Sequence, residues 1–146
     1  MKNLDWDKLS FGYLKTDYNV RSYYKDGKRI FRCEENAKRM INTADYVMMK
    51  APSVELFTEA VVKAVELNKE YVPPYESGAS LYIRPLLIGV GPQMGVKPAS
   101  EFMFVVFVAP VGPYFKDGFK PARVMIEHKY DRAAPHGTGH IKVGGN

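Results

Sequence analysis

The hydrophobic period of the chain changes from helical to strand-like near residue 78, and this change limits the folds that the chain can adopt. Before that point, apolar side chains recur at helical spacing in two adjacent segments, residues 34–50 and 54–72. After it, apolar residues alternate with polar ones or form short continuous runs, as strands do. Adjacent helices accompanied by more numerous strands favour an α+β fold, in which two helices cover a mainly antiparallel sheet.

Both predicted helices have an apolar face and a recognisable start. Acidic residues open the first helix, and its apolar face comprises Ala37, Met40, Ile41, Ala44, Val47 and Met48. Pro52 interrupts the pattern, and Ser53 is expected to cap the second helix. The apolar face of the second helix comprises Leu56, Phe57, Ala60, Val61, Ala64, Val65 and Leu67. Glu59 and Lys63 are expected on its solvent side.

Strands are predicted on both sides of the helices. The segment NVRSYYKDGKRIFR, residues 19–32, indicates a hairpin, because Asp26-Gly27 suits the positive φ angles of a tight turn. In ASLYIRPLLIGVG, residues 79–91, Pro85 lacks a backbone N–H and therefore predicts an edge strand or a bulge.

The last part of the chain contains two further predicted strands. EFMFVVFVAPV, residues 101–111, is almost continuously apolar, which is typical of a strand buried on both faces. ARVMIEHKY, residues 122–130, is predicted as another strand, and residues 131–140 as a loop that leads to Lys142. No repeat or linker divides the chain, so one domain is expected.

Composition and charge exclude several classes of protein. A chain of 146 residues that is 46% hydrophobic and 25% charged suits a domain with a buried core and not a disordered chain. The net charge of +5 is spread without a basic run, so no nucleic-acid partner is expected. No apolar stretch reaches transmembrane length, and the charged N-terminus lacks the apolar region of a signal peptide. We therefore expect a cytoplasmic protein without a membrane partner.

Few residues remain for chemistry. The single Cys33 excludes an intrachain disulfide, and three histidines without HExxH spacing do not support a metal site. Lys142 lies among glycines in HGTGHIKVGGN, residues 136–146. A neutral lysine can form a Schiff base with a carbonyl, and glycine lets the backbone approach a flat cofactor. From the residues alone, a solvated lysine in a disordered tail remains open, and so do surface ion pairs for Arg32 and Arg84.

Several stretches together resemble the branched-chain amino acid aminotransferases, class IV enzymes that use pyridoxal phosphate. They are FGYLKTDYNVR, RIFRCEENAKRM, SGASLYIRPLLIG with MGVKP, VVFVAPVGPYF and GTGHIKVGGN. They occur in the order of the family and span nearly the whole chain, and LYIRP with PVGPYF points to the branched-chain group. D-amino acid aminotransferases and aminodeoxychorismate lyases share the lysine and the fold, and they are the alternatives within class IV.

The resemblance implies a role for each matching residue. Lys142 would bind the aldehyde of pyridoxal 5′-phosphate, and would then move a proton between the substrate Cα and the cofactor. Arg32 would contact the cofactor phosphate through its planar fork of donors. Tyr82 and Arg84 would line the substrate pocket, where Arg84 would face the side-chain carboxylate of glutamate.

Two further residues would complete the pocket. By the resemblance, Val96 would add an apolar wall, and its loop and Tyr82 would reach across a dimer interface. Tyr114 would belong to a mobile segment that covers the site. The implied reaction is reversible amino transfer between leucine, isoleucine or valine and 2-oxoglutarate, performed by a homodimer.

The resemblance also implies that the chain is shortened. Residues 23–32, YYKDGKRIFR, are a few dozen residues short of the equivalent segment in the family. In the family a tyrosine and a larger second domain follow the position of Asn146. Residues 1–146 are therefore expected to form a single domain, the small N-terminal domain, without the large C-terminal domain. A non-catalytic binding module that keeps the fold is the alternative from a different functional class.

Overall fold

The computed structural model of the chain describes residues 18–24, 27–113, 115, 118 and 120–144, with side chains from Ile30 onward. Within these residues the elements are β1 (Tyr18–Tyr24), β2 (Gly27–Ile30), α1 (Cys33–Tyr46), α2 (Val54–Leu67), β3 (Ser80–Val90) and β4 (Glu101–Val111). Two short 3-10 turns, Lys69–Tyr71 and Tyr75–Ser77, connect α2 to β3. The prediction of an α+β arrangement is confirmed.

The four described strands form one antiparallel sheet in the order β2-β1-β3-β4. β1 and β2 pair as the hairpin predicts, although Asp26 lies outside the described residues. β3 pairs with β4 along its whole length, with Pro85 opposite Val106. It pairs with β1 only through Tyr82 and its two neighbours in the strand. From Arg84 onward β4 is thus the one described neighbour of β3, which is the edge environment that Pro85 predicts.

The core lies between the helices and one face of the sheet. Its most buried large side chains, each at most 5% exposed, are Phe57, Val61, Val65, Leu81 and Ile83. The ring of Phe57 stacks on that of Phe104 in β4, with 5.5 Å between the centroids. Burial of side chains of this size contributes about 1.5–3 kcal/mol each, so this cluster is the main source of stability in the described residues.

α2 starts as predicted, but its buried face is narrower than predicted. The Oγ of Ser53 accepts a hydrogen bond from the backbone N–H of Leu56 at 3.2 Å, which confirms the cap. Leu56 and Leu67 are 53% and 69% exposed, because the sheet covers only one stripe of the helix. Glu59 and Lys63 lie on the solvent side, as predicted.

α1 ends four residues earlier than predicted. The backbone N–H groups of Met48 and Met49 donate to the carbonyls of Asp45 and Ala44, which is the hydrogen-bond pattern of a Schellman motif. Met48 occupies the left-handed position of that motif, with a φ of 57°. Its side chain is 79% exposed, so the prediction that Met48 belongs to the apolar face is wrong.

Two strand predictions are also wrong. β4 is not buried on both faces: it forms an edge of the described sheet, and Met103 and Phe107 are about half exposed. The two described helices cover one face of the sheet, and no described helix or strand covers the apolar residues on its other face. Residues 122–130 form no strand, and residues 124–126 are exposed, because no described strand lies beside them to pair with their backbone.

Candidate active site

A groove of about 450 Å³ lies along the open edge of β3, between that edge, α1 and the loop that carries Lys142. Its lining includes Asn36, Arg39, Met40, Thr43 and Ala44 of α1, Tyr82 and residues 84–87 of β3, and Lys142, Val143 and Gly144. Consecutive residues of β3 line the groove, and they alternate between the two faces of the sheet, so the groove follows the edge of the strand. Its volume falls within the range of small-molecule sites.

β3 supplies a tyrosine and an arginine that act as a pair. Tyr82 and Arg84 are two residues apart and therefore point to the same side of the strand. Nη2 of Arg84 donates a hydrogen bond to the Tyr82 hydroxyl at 2.9 Å. The guanidinium lies 5.1 Å from the Tyr82 ring centroid and 5.9 Å from that of Phe107. These contacts orient a planar cation that has further donors for an anion.

The glycine-rich loop brings Lys142 to the groove from the opposite side. The backbone N–H of Lys142 donates to Oγ1 of Thr43 at 3.2 Å, across 99 residues of sequence. Ile141 is buried, and the ring of His140 meets that of Tyr46 edge-on with 4.6 Å between the centroids. Residues 140–142 are therefore docked on the protein, and they are not part of a disordered tail.

The other residues predicted for the site lie outside the groove lining or outside the described residues. Arg32 precedes α1 with a φ of 51°, and its exposed side chain lies 4.0 Å from the Glu35 carboxylate. Its carbonyl accepts a hydrogen bond from Nδ2 of Asn36, which does line the groove, at 2.9 Å. Val96 is fully exposed in the loop between β3 and β4. Tyr114 lies outside the described residues.

Sequence reasoning missed three polar residues of α1 that line the groove. Asn36, Arg39 and Thr43 are three and four residues apart, so they share one side of the helix. Nη2 of Arg39 donates to Oδ1 of Asn36 at 2.7 Å. Their spacing was the available signal, but polar residues beside an apolar stripe are also typical of a solvent-facing boundary.

The groove has a cationic character. Arg39, Arg84 and Lys142 line it, and no aspartate or glutamate occurs among its described lining residues. Such a distribution favours the binding of an anion. The nearby thiol of Cys33 takes no part in this charge: burial raises its pKa, against the opposing effect of a hydrogen bond with Thr58, so it stays protonated at neutral pH.

Two other classes of site find no support in the part of the chain that the structure describes. No group of three or more histidine, cysteine or acidic side chains there is arranged to hold a metal ion. None of the described helices is long and apolar enough to cross a lipid bilayer.

Known proteins similar to the chain are aminotransferases. It is 42% identical over 187 residues to the branched-chain-amino-acid aminotransferase of Haemophilus influenzae, covering 100% of this chain and 54% of that protein. It is 39% identical over 188 residues to the enzyme of the same name from Helicobacter pylori strain J99, covering 100% of this chain and 55% of that protein. No family model matches the chain. The chain spans about half the length of these two relatives.

A third relative shows that most of the chain aligns almost without gaps. The Haemophilus alignment has 187 positions for 146 residues, so about 41 positions of the relative have no counterpart within the chain. The chloroplastic branched-chain-amino-acid aminotransferase 3 of Arabidopsis thaliana is 52% identical over 124 residues, covering 84% of this chain and 30% of that protein. That part of the chain therefore aligns almost without gaps. The gap has the size predicted for the shortened segment at residues 23–32.

Proposed function

We propose that this chain, which belongs to the family of branched-chain-amino-acid aminotransferases, supplies the lysine-bearing part of a transaminase site. The reaction is reversible amino transfer between leucine, isoleucine or valine and 2-oxoglutarate, with pyridoxal 5′-phosphate as cofactor. The observation that carries the proposal is the groove itself, where the fold brings Lys142 to Tyr82 and Arg84. A lysine, a tyrosine and an arginine thus line one space of small-molecule size.

The groove residues fit pyridoxal phosphate in chemistry and in size. Lys142 supplies a primary amine that can bind an aldehyde carbon, and Arg39 and Arg84 supply the donors that a phosphate dianion prefers. When bound, the cofactor would draw electrons from the substrate Cα. Arg32 lies outside the lining, so it would contact the phosphate only after a change in the direction of its side chain.

The groove residues divide the remaining tasks. Nζ of Lys142 would accept the proton from the substrate Cα and pass it to the cofactor carbon that receives the amino group, and the reverse half-reaction would carry it back. Arg84, oriented by Tyr82, binds the side-chain carboxylate of glutamate through its planar donors. Met40 and Leu86 line the same groove and offer apolar contact to the branched side chains. One groove therefore accommodates both kinds of substrate.

The proposal also includes the domain that the chain forms, its oligomeric state and its location in the cell. The chain would form the small N-terminal domain of a class IV enzyme that acts as a cytoplasmic homodimer. The full exposure of Val96 supports this assembly, because it leaves that side chain available to a partner subunit. The segment containing Tyr114 would cover the occupied groove.

The first test is chemical labelling of the 146-residue chain. The protein is incubated with pyridoxal phosphate and reduced with borohydride, and the modified lysines are mapped by mass spectrometry. We expect selective labelling of Lys142 over the exposed Lys97 and Lys129. Lys142→Arg is the matched control, and it should remove that labelled peptide and leave the others unchanged. Equal labelling of the three lysines would contradict the proposal.

The second test is catalytic. A chimera is made in which the Haemophilus relative supplies the sequence that this chain does not cover. Transfer between leucine and 2-oxoglutarate is expected in the chimera and not in its Lys142→Ala variant. A folded chimera without transfer would rule out a catalytic role for this half.

A non-catalytic binding module that keeps the fold is the second candidate function. The gap of about 41 positions favours this candidate, because the chain lacks part of the sequence that the relatives have. It predicts a stable folded chain with scattered lysine labelling. A protease-sensitive, aggregating chain would count against it, since exposed apolar residues such as 124–126 would then need cover.

A further inference from the structure

We propose that Thr43 of α1 is a positioning residue that fixes the backbone of Lys142 at the groove. The inference rests on the proposed function for what the amine does there, but the positioning itself rests on geometry alone. Neither the hydrophobic pattern nor the family resemblance points to Thr43, because its partner lies 99 residues further along the chain.

The main evidence is the hydrogen bond between the two residues. The backbone N–H of Lys142 donates to Oγ1 of Thr43 at 3.2 Å, and both residues line the groove. That nitrogen is bonded to the Cα of Lys142, so the contact fixes the point from which the lysine side chain starts. A threonine on a helix is restricted to two main χ1 rotamers, so its hydroxyl has few available directions.

A second contact lies one helical turn further along α1. Tyr46 follows Thr43 by three residues, and its ring meets that of His140 edge-on, with an interplanar angle of 84°. Between His140 and Lys142, Ile141 is only 5% exposed, and its backbone N–H donates to the Thr138 carbonyl at 3.1 Å. Each residue from 140 to 142 is therefore held by a contact or by burial.

These contacts have different consequences for the lysine. Apolar burial at Ile141 and the ring contact at Tyr46 keep the loop on the helix, but burial has little directionality. The hydrogen bond to Thr43 is directional, so it sets the orientation of the Lys142 backbone. Displacement of a reacting group by about 1 Å can lower a rate roughly 100-fold, so this orientation would matter for transfer.

The test measures hydrogen exchange at the Lys142 amide by NMR in the 146-residue chain. In the unmodified protein this amide should exchange more slowly than an unstructured peptide of the same sequence. Thr43→Val keeps the shape but removes the hydroxyl, and it should speed exchange about 3- to 10-fold, which is the usual net effect of one hydrogen bond. Thr43→Ser keeps the hydroxyl and should retain the protection.

The same variants are then labelled with pyridoxal phosphate and borohydride. Thr43→Val should lower the selectivity for Lys142 over Lys97 and Lys129, and Thr43→Ser should restore it. Circular dichroism checks the fold, and Thr43→Ala replaces Thr43→Val if the valine variant does not fold. An unprotected Lys142 amide in the unmodified protein overturns the proposal without any variant.

The outcomes separate this inference from the proposed function. A protected Lys142 amide that loses protection in Thr43→Val, together with scattered labelling of the unmodified chain, would reject the transaminase site and keep Thr43 as the positioning residue. Selective labelling of Lys142 that is equal in the unmodified chain and in Thr43→Val would keep the site and overturn the role of Thr43.

Discussion

The two halves of β3 have different neighbours, and this difference separates the stable core from the candidate site. In the inner half, residues 81–83 lie between β1 and β4, and Leu81 and Ile83 are fully buried in the core. In the outer half, residues 84–90 have β4 as their one partner among the described strands, and Leu86 and Ile88 are 41% and 37% exposed. A strand that is paired on one side keeps its backbone in place and leaves its other edge free to line a groove.

A hydrogen bond across the boundary between the two halves of β3 orients the arginine of the candidate site. Tyr82 belongs to the inner half, where it lies opposite Asn19 of β1 and Ala109 of β4. Arg84 belongs to the outer half, and it donates a hydrogen bond back to the Tyr82 hydroxyl. The exposed arginine is thus oriented by a residue whose backbone is held on both sides.

The largest expected effect comes from one leucine in each half. Leu81→Ala should lower the free energy of unfolding by about 2–5 kcal/mol, because it removes a fully buried side chain and leaves a cavity. Leu86→Ala, the matched change in the outer half, should cost less than about 1 kcal/mol, since its side chain is already 41% exposed. Urea denaturation measures both. Similar losses in the two variants would contradict the division of β3.

The second prediction concerns ligand binding in the outer half. Arg84→Gln should weaken the binding of 2-oxoglutarate about 10-fold or more, because hydrogen bonds to charged groups contribute about 1.5–3 kcal/mol. Binding of 4-methyl-2-oxopentanoate, which lacks the second carboxylate, should change much less. Titration calorimetry in the presence of pyridoxal phosphate compares the two acids. An equal loss for both would mean that Arg84 does not recognise the side-chain carboxylate.

Local patterns in the sequence predict the elements around the inner half of β3 well. The start of α2 follows from Ser53, and the edge environment of β3 follows from Pro85. The hairpin forms where the Asp26-Gly27 pair predicts it, but Gly27 is already the first residue of β2 and pairs with Tyr24. Each of these depends on the conformational preference of one or two residues. The helical stripe likewise includes the core residues Phe57, Val61 and Val65 of α2, although it also includes the exposed Leu56 and Leu67.

The surroundings of the outer half of β3 depend on residues that are distant in the sequence, and a local pattern does not contain them. The apolar run of β4 indicates a strand, but not that the helices leave one of its faces uncovered. The alternation in residues 122–130 requires a partner strand, and none lies beside it in the described residues. The GTGxxKxGGN motif identifies Lys142, whereas Thr43 becomes visible only when the fold joins two distant segments.

The third prediction concerns the cap at the start of α2 and its contribution to stability. Ser53→Ala should lower the free energy of unfolding by about 1 kcal/mol, because the Leu56 N–H at the helix start loses its acceptor. Because Ser53 does not line the groove, the relative labelling of Lys142 should not change. Ser53→Asp provides the control, since aspartate also caps helices and should keep the stability. A shift in labelling with Ser53→Ala would show that the halves are coupled.

The smallest expected effect lies at the end of α1, next to the groove, and it has the opposite sign. Met48→Gly should raise the free energy of unfolding by about 0.5–1 kcal/mol, because a Cβ is unfavourable at a φ of 57°. Little is lost in exchange, since the Met48 side chain is 79% exposed. Met48→Ala keeps the Cβ and should not give this gain, and urea denaturation distinguishes the two. Stabilisation by glycine alone would mean that backbone hydrogen bonds hold the end of α1, and with it the turn that carries Thr43 and Tyr46. Destabilisation by glycine would mean that the Met48 side chain supports this rim of the groove.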